Sequence, residues 1–221
     1  MKGFERVLTR KGVLRMMHPN EYLSPNLNDD GDKEENKKEA GGGNYLKDLM
    51  EKQRTLFISE EVSPKLTRKL VPALLWLDSQ SDDPIRLFIN TPGGSADDGF
   101  AIYDAIKFIR SPVLCITNGL NASAGTVILL ATPKERRFSL PNSRIMIHQP
   151  SSGVRGKASE IEITAEEILK LRRRCNELIA SETGKSVEEV EKHTNKDYWM
   201  SPEEAKEYGL IGEILTSLND L

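Results

Sequence analysis

The stretch Ile85-Arg86-Leu87-Phe88-Ile89-Asn90-Thr91-Pro92-Gly93-Gly94-Ser95 runs from a continuous apolar segment, through a proline–glycine turn, to a serine placed to cap a helix. A short apolar run bounded by turn residues reads as a buried strand. The helix after Ser95 carries Phe100, Ile102, Tyr103, Ile106 and Ile109 at helical spacing. The same alternation extends in both directions. Upstream, Leu56-Phe57-Ile58 is a short strand, and Ser63-Pro64 opens a helix through Leu66, Leu70, Leu74, Leu75 and Leu77, with a kink expected at Pro72. Downstream come a strand at 113–117, a helix at 123–131, and strands at 137–140 and 144–148. A long helix over about 158–181 has Ile161, Ile163, Ile168, Leu169, Leu171 and Leu178 as its apolar positions. Ser186 and Ser201-Pro202 open two short helices, Gly209 ends the second, and 211–215 is a last strand. Strands alternating with helices of this length predict an α/β domain with a largely parallel sheet.

The chain has 221 residues, enough for one domain with a substantial core. A net charge of −3 excludes a general affinity for nucleic acid. No apolar run reaches the roughly 18 residues that span a membrane. Cys115 lies in an apolar strand pattern and Cys175 in a charged helix pattern, so both read as reduced, unreactive thiols of a cytoplasm-like compartment. Residues 1–20 hold Lys2, Arg6, Arg10, Lys11 and Arg15 against Glu5, without the apolar centre of a secretory signal. An organellar transit peptide fits them weakly; a removable propeptide or a disordered arm fits better. Residues 19–44 have linker composition and close on Gly41-Gly42-Gly43-Asn44. The expected organisation is therefore an arm at 1–44 and a single domain at 45–221.

Ser123, in the small-residue run Asn121-Ala122-Ser123-Ala124-Gly125, sits at a strand-to-helix junction. Small neighbours let another chain approach, and the helix N-terminus supplies free N–H groups. A serine hydroxyl needs a base, and that base needs an orienting carboxylate. Only three histidines are available. His18 lies in the expected arm, and His193 at the end of a charged helix reads as a solvated cation. His148 ends a strand, where α/β enzymes keep their chemistry, although a strand-end histidine is more often structural. The carboxylate is not fixed by composition, since 34 acids compete. Asp197, in the loop Asn195-Lys196-Asp197-Tyr198-Trp199, stands beside aromatics that would exclude water. Thr91-Pro92-Gly93-Gly94-Ser95 reads as an oxyanion turn or a plain tight turn; the lysine of a phosphate loop is absent.

Asn90-Thr91-Pro92-Gly93-Gly94, Ala122-Ser123-Ala124-Gly125, the run from Leu140 to His148-Gln149-Pro150 and the helix segment Glu162-Ile163-Thr164 resemble the proteolytic subunit of the Clp protease. The resemblance runs in register from about Leu56 to Leu215, and the 25-residue interval from Ser123 to His148 fits it. It implies a crotonase-like ββα spiral with an extended strand–helix handle at about 151–181, its strand over Ser151–Lys157. It implies a serine endopeptidase acting through an acyl-enzyme on unfolded polypeptides. Ser123 would be the nucleophile, His148 the base, Asp197 the orienting acid, and the N–H groups of Gly94 and Ala124 the oxyanion hole. No metal or cofactor is implied; ATP is used by a partner AAA+ unfoldase. Heptameric rings, stacked in pairs as a tetradecamer, would enclose the sites in the cytoplasm. Phe88, Phe108, Phe138 and Leu215 match the family's unfoldase-docking pocket.

The chain departs from the family in four places. Ala124 replaces a usual methionine, which reshapes the substrate pocket. Lys196 replaces an arginine of ring-to-ring ion pairs and lacks its bidentate fork. Arg86 stands where the docking pocket usually has an aromatic, and residues 1–44 hold no counterpart of the pore-lining hairpin. The N-terminus and Lys196 motivate a second reading, a low-activity structural or regulatory subunit that co-assembles with an active paralogous subunit. A third, an acyl-CoA enzyme or another hydrolase of the crotonase fold, is opposed by the match over 140–150.

Overall fold

The computed structural model describes residues 43–221 except 152 and 154. The arm expected over 1–44 lies outside them but for its last two residues. Those two already belong to a helix, α1 (Gly43–Gln53), which the linker-like glycines concealed.

Strands and helices then alternate as the pattern requires: β1 (Thr55–Ile58), α2 (Pro64–Gln80), β2 (Ile85–Thr91), α3 (Ala96–Phe108), β3 (Val113–Ala122), α4 (Ala124–Leu129), β4 (Arg137–Ser139), β5 (Arg144–Ile147), α5 (Ala158–Thr183), α6 (Val187–Thr194), β6 (Tyr198–Met200), α7 (Pro202–Tyr208) and β7 (Glu213–Ile214). The chain is an α/β protein. Its sheet runs β1-β2-β3-β4-β7, all parallel, with β5 also parallel to β3 and β6 antiparallel to β5.

The local chemistry accounts for the helix starts. The hydroxyls of Ser63, Ser95, Ser186 and Ser201 accept from the N–H three residues on, and proline holds the first position of α2 and α7. α2 continues through Pro72, burying Leu66, Leu70, Leu74 and Leu77. Leu75, expected in the core, falls off that face and is 44% exposed. Arg54, with φ of 48°, lies between α1 and β1. Its guanidinium donates to the carbonyls of Leu77, Ser81 and Asp83 and to Ser111 Oγ, tying up the free carbonyl end of α2. The core between sheet and helices holds Ile58, Leu74, Leu77, Ile85, Leu87, Ile89, Ile102 and Ile128, all essentially inaccessible.

β3 positions the site. Expected to stop at Thr117, it continues to Ala122 through Asn118-Gly119, a pair that reads in sequence as a turn. The bend is held from both sides: Ser143 Oγ accepts the Gly119 N–H and Asn90 Oδ1 the Leu120 N–H. The first half of β3 then pairs β4 and the second half pairs β5.

The long helix α5 ends on Gly184 at φ 74°. Of its expected apolar positions, Ile168, Leu171 and Leu178 are half-buried; the residues it buries are Cys175, Asn176, Ile179 and Ala180, toward the C-terminus and outside the expected set. Ile161, Ile163 and Leu169 are 40%, 62% and 60% exposed. Of the expected strand over 151–157, the described residues 151, 153 and 155–157 take no strand pairing. A strand forms its ladder only against another edge, and none of the described strands adjoins this segment.

Candidate active site

Register brings the three candidate side chains together. Ala122 pairs with Met146 between the parallel strands β3 and β5, so Ser123 and His148 leave the carboxyl ends of adjacent strands side by side. Ile147 pairs with Tyr198 across the antiparallel β5–β6 ladder, so the next residues outward, His148 and Asp197, face one another. The outcome is a chain of two hydrogen bonds. Ser123 Oγ lies 2.8 Å from His148 Nε2, and His148 Nδ1 lies 3.0 Å from Asp197 Oδ1. A carboxylate only accepts, so Nδ1 carries the proton and Nε2 presents its lone pair to the serine hydroxyl.

Ser123 has φ 55° and ψ −120°, a strained conformation for a residue with a side chain. It is a sharp strand-to-helix corner, and β5 holds it. The Ser123 N–H donates to Met146 O at 3.0 Å, and Thr126 Oγ1 donates to the same carbonyl at 3.1 Å. Asn121, fully buried beneath the corner, donates to Thr117 Oγ1, while its own Oδ1 has no partner among the described residues.

The turn after β2 supplies N–H groups. Val62 and Gly94 form a bridge that uses the Gly93 carbonyl and the Ser95 N–H, so the Gly94 N–H stays outside it. Gly94 has φ 141°, and a β-carbon there would meet Val62 O at 2.3 Å, so only glycine fits. The Ala124 N–H opens α4 and has no intrahelical acceptor.

A cleft of about 270 Å³ adjoins the serine, lined near it by Gly94, Ala124 and His148 and deeper by Val127, Leu171 and Cys175. Among the described residues, no group of three or more potential metal ligands is present and no helix is long and apolar enough to cross a membrane.

Some expectations change. Asp197 is not screened from water: its side chain is 60% exposed. The adjacent aromatics face other partners, Tyr198 stacking on His193 at 4.6 Å and Trp199 lying beneath the Arg144 guanidinium at 4.2 Å. His193, expected to be solvated, is half-buried, with its Nδ1 3.1 Å from the Tyr208 hydroxyl. Both thiols are buried, and burial pushes Cys115 up to about 12 and Cys175 up to about 11, which keeps them protonated and inert.

The five candidate docking residues fall into two groups. Phe57, Phe88, Ile116 and Phe138 are register partners in one row across β1 to β4, with Phe57 and Phe88 stacked at 5.5 Å. Phe88 and Leu215 line one cleft of about 210 Å³, together with Leu218 and Leu221. Phe108, at the end of α3, is 82% exposed and outside that lining, and Arg86 is turned to the Gln53 carbonyl at 2.9 Å. Sequence reasoning missed Phe57, although its place in an apolar triplet facing Phe88 was the available signal.

The family model for Clp protease matches residues 39–218. Among curated relatives, an ATP-dependent Clp protease proteolytic subunit 3 from Rhizobium johnstonii is 44% identical, over 87% of this chain and 99% of its own. A proteolytic subunit 2 from Treponema denticola is 45% identical, over 85% of this chain and 94% of its own. Among solved structures, a mutant of ClpP1 from Listeria monocytogenes superposes with a TM-score of 0.74 at 45% identity, covering 79% of this chain and 98% of that one. On these matches the chain belongs to the Clp protease family, a family of serine peptidases, as a homologue of its proteolytic subunits.

Proposed function

We propose that the chain is a serine endopeptidase whose catalytic residues are Ser123, His148 and Asp197. The observation that carries the reading is the relay of 2.8 Å and 3.0 Å hydrogen bonds ending on a serine in a strained corner. His148 Nε2 takes the Ser123 proton as Oγ attacks a peptide carbonyl, and Asp197 holds the resulting imidazolium. The carbonyl oxygen becomes an oxyanion facing the Gly94 and Ala124 N–H groups, each worth about 3 kcal/mol in such sites. The leaving amine takes the proton from Nε2. Water, activated by the same histidine, then releases the acyl group from Ser123. No step needs a metal or a cofactor.

Ring assembly is part of the reading, with residues 1–44 as an arm outside the peptidase domain. Ile161, Ile163 and Leu169 give α5 an exposed apolar surface suited to a second copy of the chain. The aromatic row Phe57–Phe88–Phe138 and the cleft at Leu215 suit an apolar segment of an ATP-driven unfoldase. Unfolded polypeptide is the substrate of such an enclosed site, and the cytoplasm suits two unpaired thiols.

One observation favours the second reading, a weakly active subunit that works beside an active paralogue. The Asp197 carboxylate is open to water, which competes for the hydrogen bond that orients His148. Purified native particles separate the two readings: hydrolysis of unfolded protein by rings of this chain alone, lost in Ser123→Ala, supports the first. Cleavage only in mixed rings, insensitive to Ser123→Ala, supports the second.

A further inference from the structure

We infer that the rings of His193 and Tyr198 form a clamp that aims the Asp197 carboxylate at His148, which makes His193 a positioning residue of the site. The inference rests on the peptidase reading and adds to it the part that orients the acid.

The Asp197 carboxylate needs such a part. Its side chain is 60% exposed, and its one hydrogen bond among the described residues is the 3.0 Å contact with His148 Nδ1. Water competes for an exposed contact of this kind, so the carboxylate is aimed by the backbone that carries it. That backbone is a short turn, 194–197, between the end of α6 and the start of β6. Gln149 ties down its first half: the Gln149 N–H donates to Thr194 O at 2.7 Å, and Nε2 donates to Asn195 O at 3.1 Å. Neither bond reaches Lys196 or Asp197.

Rings hold the second half. His193, in the last turn of α6, and Tyr198, the first residue of β6, stand on either side of the turn. Their rings stack across its base, 4.6 Å apart and 18° from parallel. Tyr208, at the end of α7, closes the group. Its hydroxyl lies 3.1 Å from His193 Nδ1, and its ring is 5.6 Å from that of His193 and 5.9 Å from that of Tyr198. Tyr208 is itself buried, with Lys185 Nζ 4.6 Å over its ring, so the clamp stands on a fixed base. Tyr198 is also the register partner of Ile147, the residue before His148. A pinned Tyr198 limits rotation of the peptide that joins it to Asp197, and with it the direction of the carboxylate. Neither His193 nor Tyr198 lines the cleft beside Ser123, so the clamp acts on the acid and not on the bound peptide.

Steady-state hydrolysis of a short peptide by the full-length protein tests the clamp. A misplacement of about 1 Å costs on the order of 100-fold in rate, and a carboxylate left to swing between aimed and unaimed positions costs less. His193→Ala is therefore expected to lower kcat about tenfold, with KM within about twofold of wild type. His193→Phe, which keeps a ring to stack on Tyr198, recovers most of that loss. In an Asp197→Ala background no carboxylate is left to aim, so adding His193→Ala changes kcat by less than about twofold. A merely structural role would repeat the full loss there. Tyr198→Ala removes the same stack from the other side and is expected to give the same loss, which keeps the test decisive should one variant fail to fold. A kcat within about twofold of wild type in folded His193→Ala or Tyr198→Ala overturns the inference. So does a loss that persists undiminished in the Asp197→Ala background, or one that His193→Phe leaves in place. If a fluorophosphonate labels Ser123 in the wild type while any of these contrary results is seen, the clamp alone fails. If Ser123 takes no label in the wild type, the peptidase reading fails and the clamp with it.

Discussion

Gly93 lies so close to Ser123 that a β-carbon on it would stand 2.6 Å from the serine Cβ and 2.8 Å from Ala122 O. The turn after β2 and the corner after β3 are thus packed backbone on backbone, and this contact holds the Gly94 N–H near the nucleophile. Gly93 also has φ 97°, which strains any other residue. Gly93→Ala is expected to displace the serine by several tenths of an ångström or more, at a cost of ~100-fold in kcat/KM. Peptide hydrolysis by the folded variant measures it; activity within threefold of wild type contradicts the contact.

Asp197→Asn keeps the shape of the side chain but lets its amide donate to Nδ1, favouring the wrong tautomer of His148. In a serine peptidase triad this substitution costs on the order of 10⁴ in kcat. Because Asp197 is 60% exposed, its hydrogen bond competes with water, and a smaller loss, about 10²- to 10³-fold, is expected here. Steady-state kinetics with a short peptide checks it, with a loss below tenfold showing that Asp197 does not orient the base.

Arg137 has no accessible surface, and its Nη2 pairs with the Glu182 carboxylate, while Nε donates to Thr132 O at 2.5 Å. The pair joins β4 to the last turn of α5. Glu182→Ala leaves an uncompensated buried guanidinium and is expected to destabilise the protein by about 3 kcal/mol, with Arg137→Met in the same chain recovering much of the loss. Denaturant unfolding of the single and double variants reads this out. Equal stability of Glu182→Ala and wild type would rule the pair out as a staple.

Burial raises Cys115 to about 12 and Cys175 to about 11 from an ordinary value of 9.0. An acid whose folded-state value lies above its unfolded one holds its proton more tightly when folded. The stability this adds is complete below pH 9 and shrinks as pH rises from 9 toward 11 and 12. Burial also raises Tyr208, which adds to the same loss at higher pH. The melting temperature is therefore expected to fall between pH 8.5 and pH 10.5, less steeply in Cys115→Val. At pH 8, iodoacetamide should modify neither thiol in the folded protein and both in urea.

The alternation of strands and helices was legible because most strands are short apolar runs and four helices, α2, α3, α6 and α7, begin on a serine cap. α1 was not, since glycines and a half-exposed face disguise it. The extension of β3 was hidden because Asn118-Gly119 is turn chemistry, and only Ser143 and Asn90, distant in sequence, supply the partners that keep it a strand. Ser123 and His148 could be read as candidates from their places at strand ends. Asp197 was singled out from its residues only by the neighbouring aromatics, which do not screen it, and its role came from the family resemblance, because what sets it opposite His148 is the register of two short antiparallel strands. The apolar pattern of α5 was visible, but a single chain buries only its C-terminal part.

The central claim is that Ser123, activated by His148, is the nucleophile. Its most direct test is reaction of the full-length protein with a fluorophosphonate, followed by intact mass and peptide mapping. One adduct per chain on Ser123, abolished in Ser123→Ala and strongly slowed in His148→Ala, is the predicted result. A wild-type protein in assembled rings that takes no adduct, or takes it elsewhere, would contradict the account.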